Sequence, residues 1–311
     1  MTEPARWVAD PSIGWRILLT ATPAGPFVAP PDARSATSLD ALRRELAAPS
    51  PDPVVIGTAG RDLVVSAHHS AVDGLGLLSV LDELDLGPAT SSARGIGERP
   101  AAHGYAGTVT RRLAEAAFRP PAAVRPRREG PPGEGDVMVE LEVAGMVRTA
   151  DLVHASAHAL ARLGARRHVA VAVGVTRDPG AGVQDRSALL RLRDVERMDR
   201  AAVARRLREA PAERPPVSRA GAVDRVAAVA MRALARRLGS TLLVSHLGEV
   251  SAPAVERLAF HPVTAGGTGL ALGAVGHSGR TVLGLRARAS AWDADGLEQV
   301  LEAVGGRLSE R

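Results

Sequence analysis

Residues 63–74 of the chain read LVVSAHHSAVDG. Four of the first five positions are apolar, two of them β-branched, and they predict a buried strand. Two adjacent histidines, His68 and His69, follow at its end, and Asp73 lies four positions after His69. Gly74 then precedes leucines at helical spacing, so its backbone N–H group is expected near a helix start. Histidines so placed project into the cleft beyond the strand, and free N–H groups beside them can bind developing negative charge.

The composition excludes several kinds of chemistry. The chain has 311 residues, 45% hydrophobic and 23% charged, which is typical of a globular protein. Because it contains no cysteine, disulfides, thiolate zinc sites and a cysteine nucleophile are excluded. All 39 basic residues other than histidine are arginine, so a lysine Schiff base is also excluded. The formal net charge is only +5 and aromatic residues make up 2%, which argues against nucleic acid as a partner.

The ends of the chain and its hydropathy carry no targeting or membrane signal. The first residues lack the basic start and apolar run of a leader peptide. No stretch approaches the roughly 18 apolar residues that a membrane-spanning helix needs. We therefore expect a cytoplasmic monomer without a membrane span.

A proline- and glycine-rich segment divides the chain. Residues 119–135 read RPPAAVRPRREGPPGEG, which is typical of an exposed linker. The sequence thus predicts an N-terminal half, 1–118, which carries the two histidines, and a C-terminal half, 136–311.

Periodicity predicts strands and helices in a mixed order. The strands are expected at 15–21, 54–58, 62–67, 137–143, 169–175, 241–245, 269–275 and 280–289. The helices are expected at 38–47, 74–84, 107–117, 150–163, 199–209, 222–238 and 293–308, with Ser38, Thr149 and Asp293 as candidate caps. This order predicts an α/β (α+β) protein with largely antiparallel hairpins.

The HHxxxDG pattern resembles the signature of the condensation-domain and chloramphenicol-acetyltransferase-like superfamily. The C-terminal half agrees with that resemblance in a helix, DLVHASAHALARLG, that leads into the strand VAVAVGVTRDP with Arg177 near its end. A strand ending in VSHLG, a pair of strands around the turn GHSG and a closing helix follow in the family's order. The resemblance is specific in the seven-residue motif and weak before residue 50.

The resemblance implies a fold and a reaction. The fold would be two chloramphenicol-acetyltransferase-like halves, each a mixed, largely antiparallel sheet with helices, with an active-site tunnel between them. The reaction would transfer an acyl group from a CoA or carrier-protein thioester to a small amine or alcohol, in nonribosomal peptide, polyketide or lipid biosynthesis. CoA or phosphopantetheine would be a co-substrate, and no bound cofactor or metal is expected.

The resemblance also implies roles for the motif residues. His69 would be the general base, and His68 would pack and hydrogen-bond behind it. Asp73 would pair with an arginine, for which Arg177 is the best candidate, and so fix the histidine loop. Gly74 would leave room for substrate and offer its N–H group to the oxyanion.

Other positions depart from the family pattern or leave alternatives open. Ser245 and His246 stand where the family usually has Ser-Asn, so His246 either donates in place of the amide, adds a titrating group or reflects lost chemistry. The chain is also short and lacks the RHExLRT and DFGWG segments. A catalytically degenerate scaffold that binds a carrier protein or an acyl ligand is therefore the alternative. His154 and His158, one helical turn apart, are interpreted as ordinary helix residues rather than metal ligands.

Overall fold

The computed structural model describes residues 16–97, 99, 114–124, 128–165, 167–178, 186–212, 239–264 and 269–310. Its strands are β1 (Arg16–Pro23), β2 (Arg34–Ser35), β3 (Val54–Ala59), β4 (Asp62–His68), β5 (Thr90–Ser91), β6 (Asp136–Ala144), β7 (Val171–Thr176), β8 (Ser187–Leu192), β9 (Leu242–Ser251), β10 (Val255–His261), β11 (Ala271–His277) and β12 (Arg280–Arg288). Its helices are α1 (Leu39–Ala47), α2 (Gly76–Glu83), α3 (Thr149–Arg162), α4 (Arg200–Glu209) and α5 (Ala294–Ser309), and Val195–Arg197 forms a 3-10 turn.

The strands form two mixed sheets. The small sheet has the order β10-β1-β4-β3-β2, in which only β2 and β3 run parallel. The large sheet has the order β6-β12-β11-β9-β7-β8, with β5 added to β9. Its central strands β11, β9 and β7 are parallel, and its outer pairs are antiparallel. The predicted fold class, with two mixed and largely antiparallel sheets, is confirmed.

The sheets pack face to face, and helices cover their outer faces. Apolar side chains of β1 and β4 meet those of β9, β11 and β12 in one core, which also includes α2. The opposite face of the large sheet packs against α3 and α5 in a second core. A third, smaller core lies between α1 and the outer face of the small sheet. Alternation of side chains along each strand therefore decides which core a residue enters.

Two strands cross between the halves predicted from the linker. β10 follows the linker in sequence but pairs with β1 at the edge of the small sheet, with Phe260 opposite Leu19. β5 precedes the linker but pairs with β9, with Ser91 opposite Val250. These exchanges join the two sheets through main-chain hydrogen bonds as well as through their shared core.

Most predicted elements are confirmed, and several local predictions need correction. Ser38 and Asp293 each cap a helix by accepting a backbone N–H bond, as predicted, and Asp199 does the same without having been predicted as a cap. Thr149 does not: it is the first residue of α3, and the preceding cap position is occupied by an arginine without a side-chain cap. The sequence missed the short strands β2 and β5 and also β8 and β10, which alternate less regularly.

For the linker and for two predicted helices, prediction and structure can be compared only over the described residues. The described residues of 119–135 contain no strand, but Val124 is buried in the core beneath α3, so the segment is not simply exposed. The helix predicted at 222–238 lies outside the described residues, as does most of that at 107–117. No helix in the described part of the chain is long and apolar enough to cross a membrane.

Candidate active site

The two histidines lie where β4 ends and turns toward α2. The His68 N–H group donates to the Pro53 carbonyl at 2.8 Å. This bond continues the pairing of the β3–β4 hairpin. The His68 carbonyl then accepts from the N–H groups of Ala71 and Val72, at 2.9 and 3.1 Å. These two bonds close a tight turn, so His69 lies at the tip of the turn and its side chain is only partly buried.

The contact of the His69 ring defines which nitrogen is basic. Its Nδ1 atom lies 3.4 Å from the Val72 carbonyl oxygen. A carbonyl oxygen only accepts hydrogen bonds, so this long contact requires the proton on Nδ1. In the neutral ring the lone pair is then on Nε2. This is the tautomer that a general base needs.

His68 is held differently from its neighbour. Its Nδ1 atom accepts from the Ser70 hydroxyl at 2.6 Å and from the Ser70 N–H group at 3.3 Å. Burial lowers the pKa of His68, and the nearby guanidinium of Arg16 and the ring of His69 lower it further. Arg16 itself is buried and donates to Ser66, two residues before His68. The neutral, hydrogen-bonded ring of His68 agrees with a supporting role.

Asp73 connects the turn to the large sheet through main-chain donors. One carboxylate oxygen accepts from Gly76 N at 2.8 Å, and the other accepts from Arg186 N at 3.0 Å. Arg186 lies just before β8 and its carbonyl accepts from Arg177 N at 3.0 Å. The side chain of Arg177 is exposed, and within the described residues it forms no ion pair with Asp73. Among the described residues, the main chain just before β8 contacts the carboxylate in the place predicted for the Arg177 side chain.

Gly74 is needed for packing against the large sheet. A Cβ atom at this position would lie 2.6 Å from Leu247 Cδ2 and 3.3 Å from Phe260 Cζ. Both contacts are tighter than ordinary van der Waals distance. The space beside Gly74 is thus filled by side chains of β9 and β10 rather than left for substrate. Its role as an oxyanion donor stays a prediction.

The turn lies where two parallel strands separate. The pairing of β7 with β9 stops at Gly174 and Ser245. Beyond that point the Thr176 carbonyl accepts a hydrogen bond from Ile96 N at 2.9 Å, while β9 continues beside β5. Asp73 contacts the start of β8, next to β7, and Gly74 contacts β9. The His69 turn therefore spans the two strands at their point of separation.

Ser245 and His246 face opposite sides of the large sheet. Ser245 shares the side of Leu247, which packs against Gly74. His246 projects to the helix-covered side, where its Nδ1 atom lies 3.0 Å from the Thr149 hydroxyl. Burial lowers the pKa of His246 to about 4, so the ring is neutral near pH 7. The structure does not bring His246 onto the side of the sheet where the His69 turn lies.

Sequence reasoning missed the residues that hold the turn. Arg186 acts through its main chain, so no side-chain pattern marks it. Leu247 and Phe260 are ordinary core residues whose importance comes only from their closeness to Gly74. The helical histidines His154 and His158 stack at 4.2 Å between ring centroids, and the described residues contain no group of three potential metal ligands.

Comparisons with known proteins give the fold a name. No protein-family model and no curated protein sequence matches the chain. Solved structures match nearly its whole length. The first condensation domain of the calcium-dependent antibiotic synthetase has a TM-score of 0.55 at 16% identity, covering 97% of this chain and 92% of that domain. The wax ester synthase/diacylglycerol acyltransferase of Marinobacter aquaeolei VT8 has a TM-score of 0.54 at 12% identity, covering 98% and 95%.

A third match is the starter condensation domain of rhizomide synthetase, solved as a variant in complex with C8-CoA. It has a TM-score of 0.53 at 13% identity and covers 96% of this chain and 90% of that chain. At these identities the likeness concerns the fold. The two face-to-face mixed sheets of this chain are the chloramphenicol-acetyltransferase-like fold that condensation domains and wax ester synthases share.

Proposed function

We propose that the protein transfers an acyl group from a thioester of CoA or of a carrier-bound phosphopantetheine to an amine or alcohol. The observation that carries this proposal is the His69 ring. It is partly exposed on a turn fixed to both sheets, and its contact with Val72 leaves the lone pair on Nε2. An imidazole held in place with a free ring nitrogen is suited to act as a general base.

The reaction follows from one proton transfer. Nε2 of His69 takes the proton of the acceptor N–H or O–H group as that group attacks the thioester carbonyl. The new C–N or C–O bond forms, and the tetrahedral intermediate then breaks its C–S bond. The imidazolium returns the proton to the departing thiolate. No covalent acyl-enzyme is needed, which agrees with a chain that has no cysteine.

The fold supports the same conclusion. The structural matches include acyltransferases, and one of them was solved with an acyl-CoA. Here the His69 turn spans two strands that separate beneath it, and Asp73 and Gly74 fix it to both sides. A fixed turn keeps the base in one position, which is the main requirement for proton transfer to be efficient.

The test is product formation from a panel of acyl-CoAs and acyl carriers with small amines and alcohols, followed by mass spectrometry. We expect His69→Gln to lose about 10²- to 10⁴-fold in rate, the usual contribution of a general base. His158→Gln is the matched control, because His158 lies on α3 and its Nε2 donates to the Met198 carbonyl. Equal rates for wild-type protein and His69→Gln would exclude His69 as the base. No product with any donor would favour the scaffold alternative.

A further inference from the structure

His277 makes two hydrogen bonds that a neutral histidine cannot make together. It is the last residue of β11 and is buried. Its Nδ1 atom lies 2.9 Å from the Val250 carbonyl oxygen, and its Nε2 atom lies 2.9 Å from the Val255 carbonyl oxygen. Both distances are ordinary for N–H···O hydrogen bonds.

The chemistry of the two partners decides the protonation state. A carbonyl oxygen has no proton to donate, so each contact requires an N–H group on the ring. A neutral imidazole carries one N–H group, and only the imidazolium carries two. We infer that His277 is a buried imidazolium that clamps the turn between β9 and β10. Hydrogen bonding of the charged form to two carbonyls offsets part of the cost of burying it.

The clamped turn is the connection at which the chain passes from the large sheet to the small one. β9 ends at Ser251 and β10 begins at Val255, and the Val255 N–H group donates to the Ala252 carbonyl at 3.0 Å. His277 bonds one carbonyl on each side of this turn. It thus fixes the exit of one strand relative to the entry of the next.

The same turn is linked to the candidate active site indirectly, through two side chains that pack against Gly74. Leu247 lies on β9 before the turn and Phe260 lies on β10 after it, and these are the two side chains that pack against Gly74. Both lie on the two strands that this turn connects, so a displacement of the turn would reach Gly74 through them. His277 is therefore a positioning residue for the His69 turn, an assignment that rests on the proposed function, whereas its protonation state does not.

The charged groups on the surrounding strands, apart from Glu249, form ion pairs elsewhere. Arg280, opposite His277 on β12, is exposed and pairs with Glu142 of β6 at 2.6 Å. Glu256 on β10 pairs with Arg61 at 2.9 Å. Arg257, next along β10, pairs with Glu140 at 2.6 Å. Glu249 on β9 has a carboxylate oxygen without a hydrogen-bond partner among the described residues, and this oxygen lies beside Gly276, on the side of the sheet opposite to His277. Proton loss from His277 would then leave a lone pair facing a carbonyl oxygen, with no donor from these side chains to replace it.

His261 shows the opposite arrangement in a second buried histidine. It lies at the end of β10, and neither of its ring nitrogens makes a hydrogen bond of ordinary geometry, although Nε2 lies 3.8 Å from Glu140 Oε1. Burial lowers its pKa well below the usual value, and the guanidiniums of Arg43 and Arg286 lower it further. The two buried rings therefore differ in their contacts: two carbonyl oxygens lie within hydrogen-bond distance of His277, whereas the guanidiniums around His261 outweigh the more distant carboxylate of Glu140.

Ring nitrogen chemical shifts test the protonation state directly. In ¹⁵N-labelled wild-type protein at pH 7.5, two-bond ¹H–¹⁵N correlations of His277, assigned by their loss in His277→Gln, are expected to show both nitrogens protonated. A lone-pair shift on either nitrogen at that pH would overturn the inference. The measurement needs no substrate, so it stands whether or not acyl transfer is found.

Stability and kinetics test the clamp. Urea midpoints of wild-type protein and His277→Gln are expected to differ at pH 6 and to differ by less than half as much at pH 9, since high pH removes the second bond from wild-type protein. For His158→Gln, which loses a single hydrogen bond to a carbonyl, the difference should change less between the two pH values than for His277→Gln. Equal differences for His277→Gln at both pH values would contradict the clamp.

In the acyl-transfer assay, His277→Gln is expected to lower kcat several-fold with KM within twofold of wild type. Unchanged kcat would remove the positioning role but not the protonation result. Absence of product from the wild-type protein would instead be a failure of the proposed function.

Discussion

Asp73 accepts hydrogen bonds from Arg186 N at 3.0 Å and, through its other oxygen, from Gly76 N at 2.8 Å. One carboxylate thus joins the start of α2 to the edge of the large sheet, with the His69 turn between them. Asp293 makes the same pair of bonds at α5, to Gly296 N at 2.9 Å and to Glu129 N at 2.8 Å. The chain therefore contains one such aspartate at the candidate site and a matched one away from it.

Replacing Asp73 by alanine should reduce both stability and acyl transfer. Two backbone donors lose their acceptor, which costs about 1–3 kcal/mol of unfolding free energy. Because the turn is then released from β8, we expect a rate loss of at least about tenfold. Urea unfolding and product formation measure the two effects.

The control for that experiment is Asp293→Ala. It removes the same pair of bonds from a helix end far along the chain, so it should lower stability and leave the rate per folded molecule unchanged. If both variants lose rate equally, Asp73 acts only through general stability.

Gly74→Ala should destabilise the protein by overpacking. The new methyl group would lie 2.6 Å from Leu247 Cδ2. Overpacking of this kind typically costs about 1–3 kcal/mol. The double variant Gly74→Ala, Leu247→Ala should recover part of that loss, because removing the leucine makes room for the methyl group. A double-mutant cycle by urea unfolding measures the coupling, and strict additivity would contradict the contact.

The sequence predicts the fold better than it predicts the contacts of the site. Strand and helix patterns, together with caps such as Ser38 and Asp293, follow local rules that a single sequence contains. The crossing of β10 into the small sheet does not, since pairing with β1 is decided by tertiary packing. Its short, mixed pattern in VERLAFH gives no period that separates it from a loop.

The sequence likewise predicts which residues belong to the candidate site better than it predicts which groups they contact. The motif indicates His69, His68 and Asp73, and the structure places them on one turn. It cannot indicate that Asp73 meets the main chain of Arg186 rather than the side chain of Arg177. That choice depends on how β7 and β8 pair, which no spacing in the sequence determines.

The buried ion pair of Asp136 and Arg286 should be essential to the folded state. Arg286 donates to Asp136 Oδ2 through Nε at 2.8 Å, and through Nη1 to the Arg16 carbonyl at 2.6 Å. Asp136→Asn leaves a buried guanidinium without its counter-ion, and such losses cost about 3–5 kcal/mol. Arg286→Met should cost at least as much, because it also removes the donor to Arg16.

The double variant Asp136→Leu, Arg286→Met tests the reason for that cost. It removes both charges together, so it should be less destabilised than the sum of the single variants in urea unfolding. A double variant as unstable as that sum would show that the pair does not act through mutual charge compensation.

His246 should make the protein sensitive to acid. Its pKa is about 4 in the folded protein because the ring is buried, against about 6.5 in the unfolded chain. The unfolded state therefore binds a proton first as the pH falls from about 6.5 toward 4, and stability is lost over that window. The loss is on the order of 2–3 kcal/mol. His246→Gln, which cannot titrate, should flatten the urea midpoint between pH 7 and pH 4.5. Thr149→Val is the control: it removes the hydrogen bond to His246 without a titrating group, so its effect should be equal at both pH values. An acid response in His246→Gln as steep as in wild-type protein would assign the sensitivity to other groups.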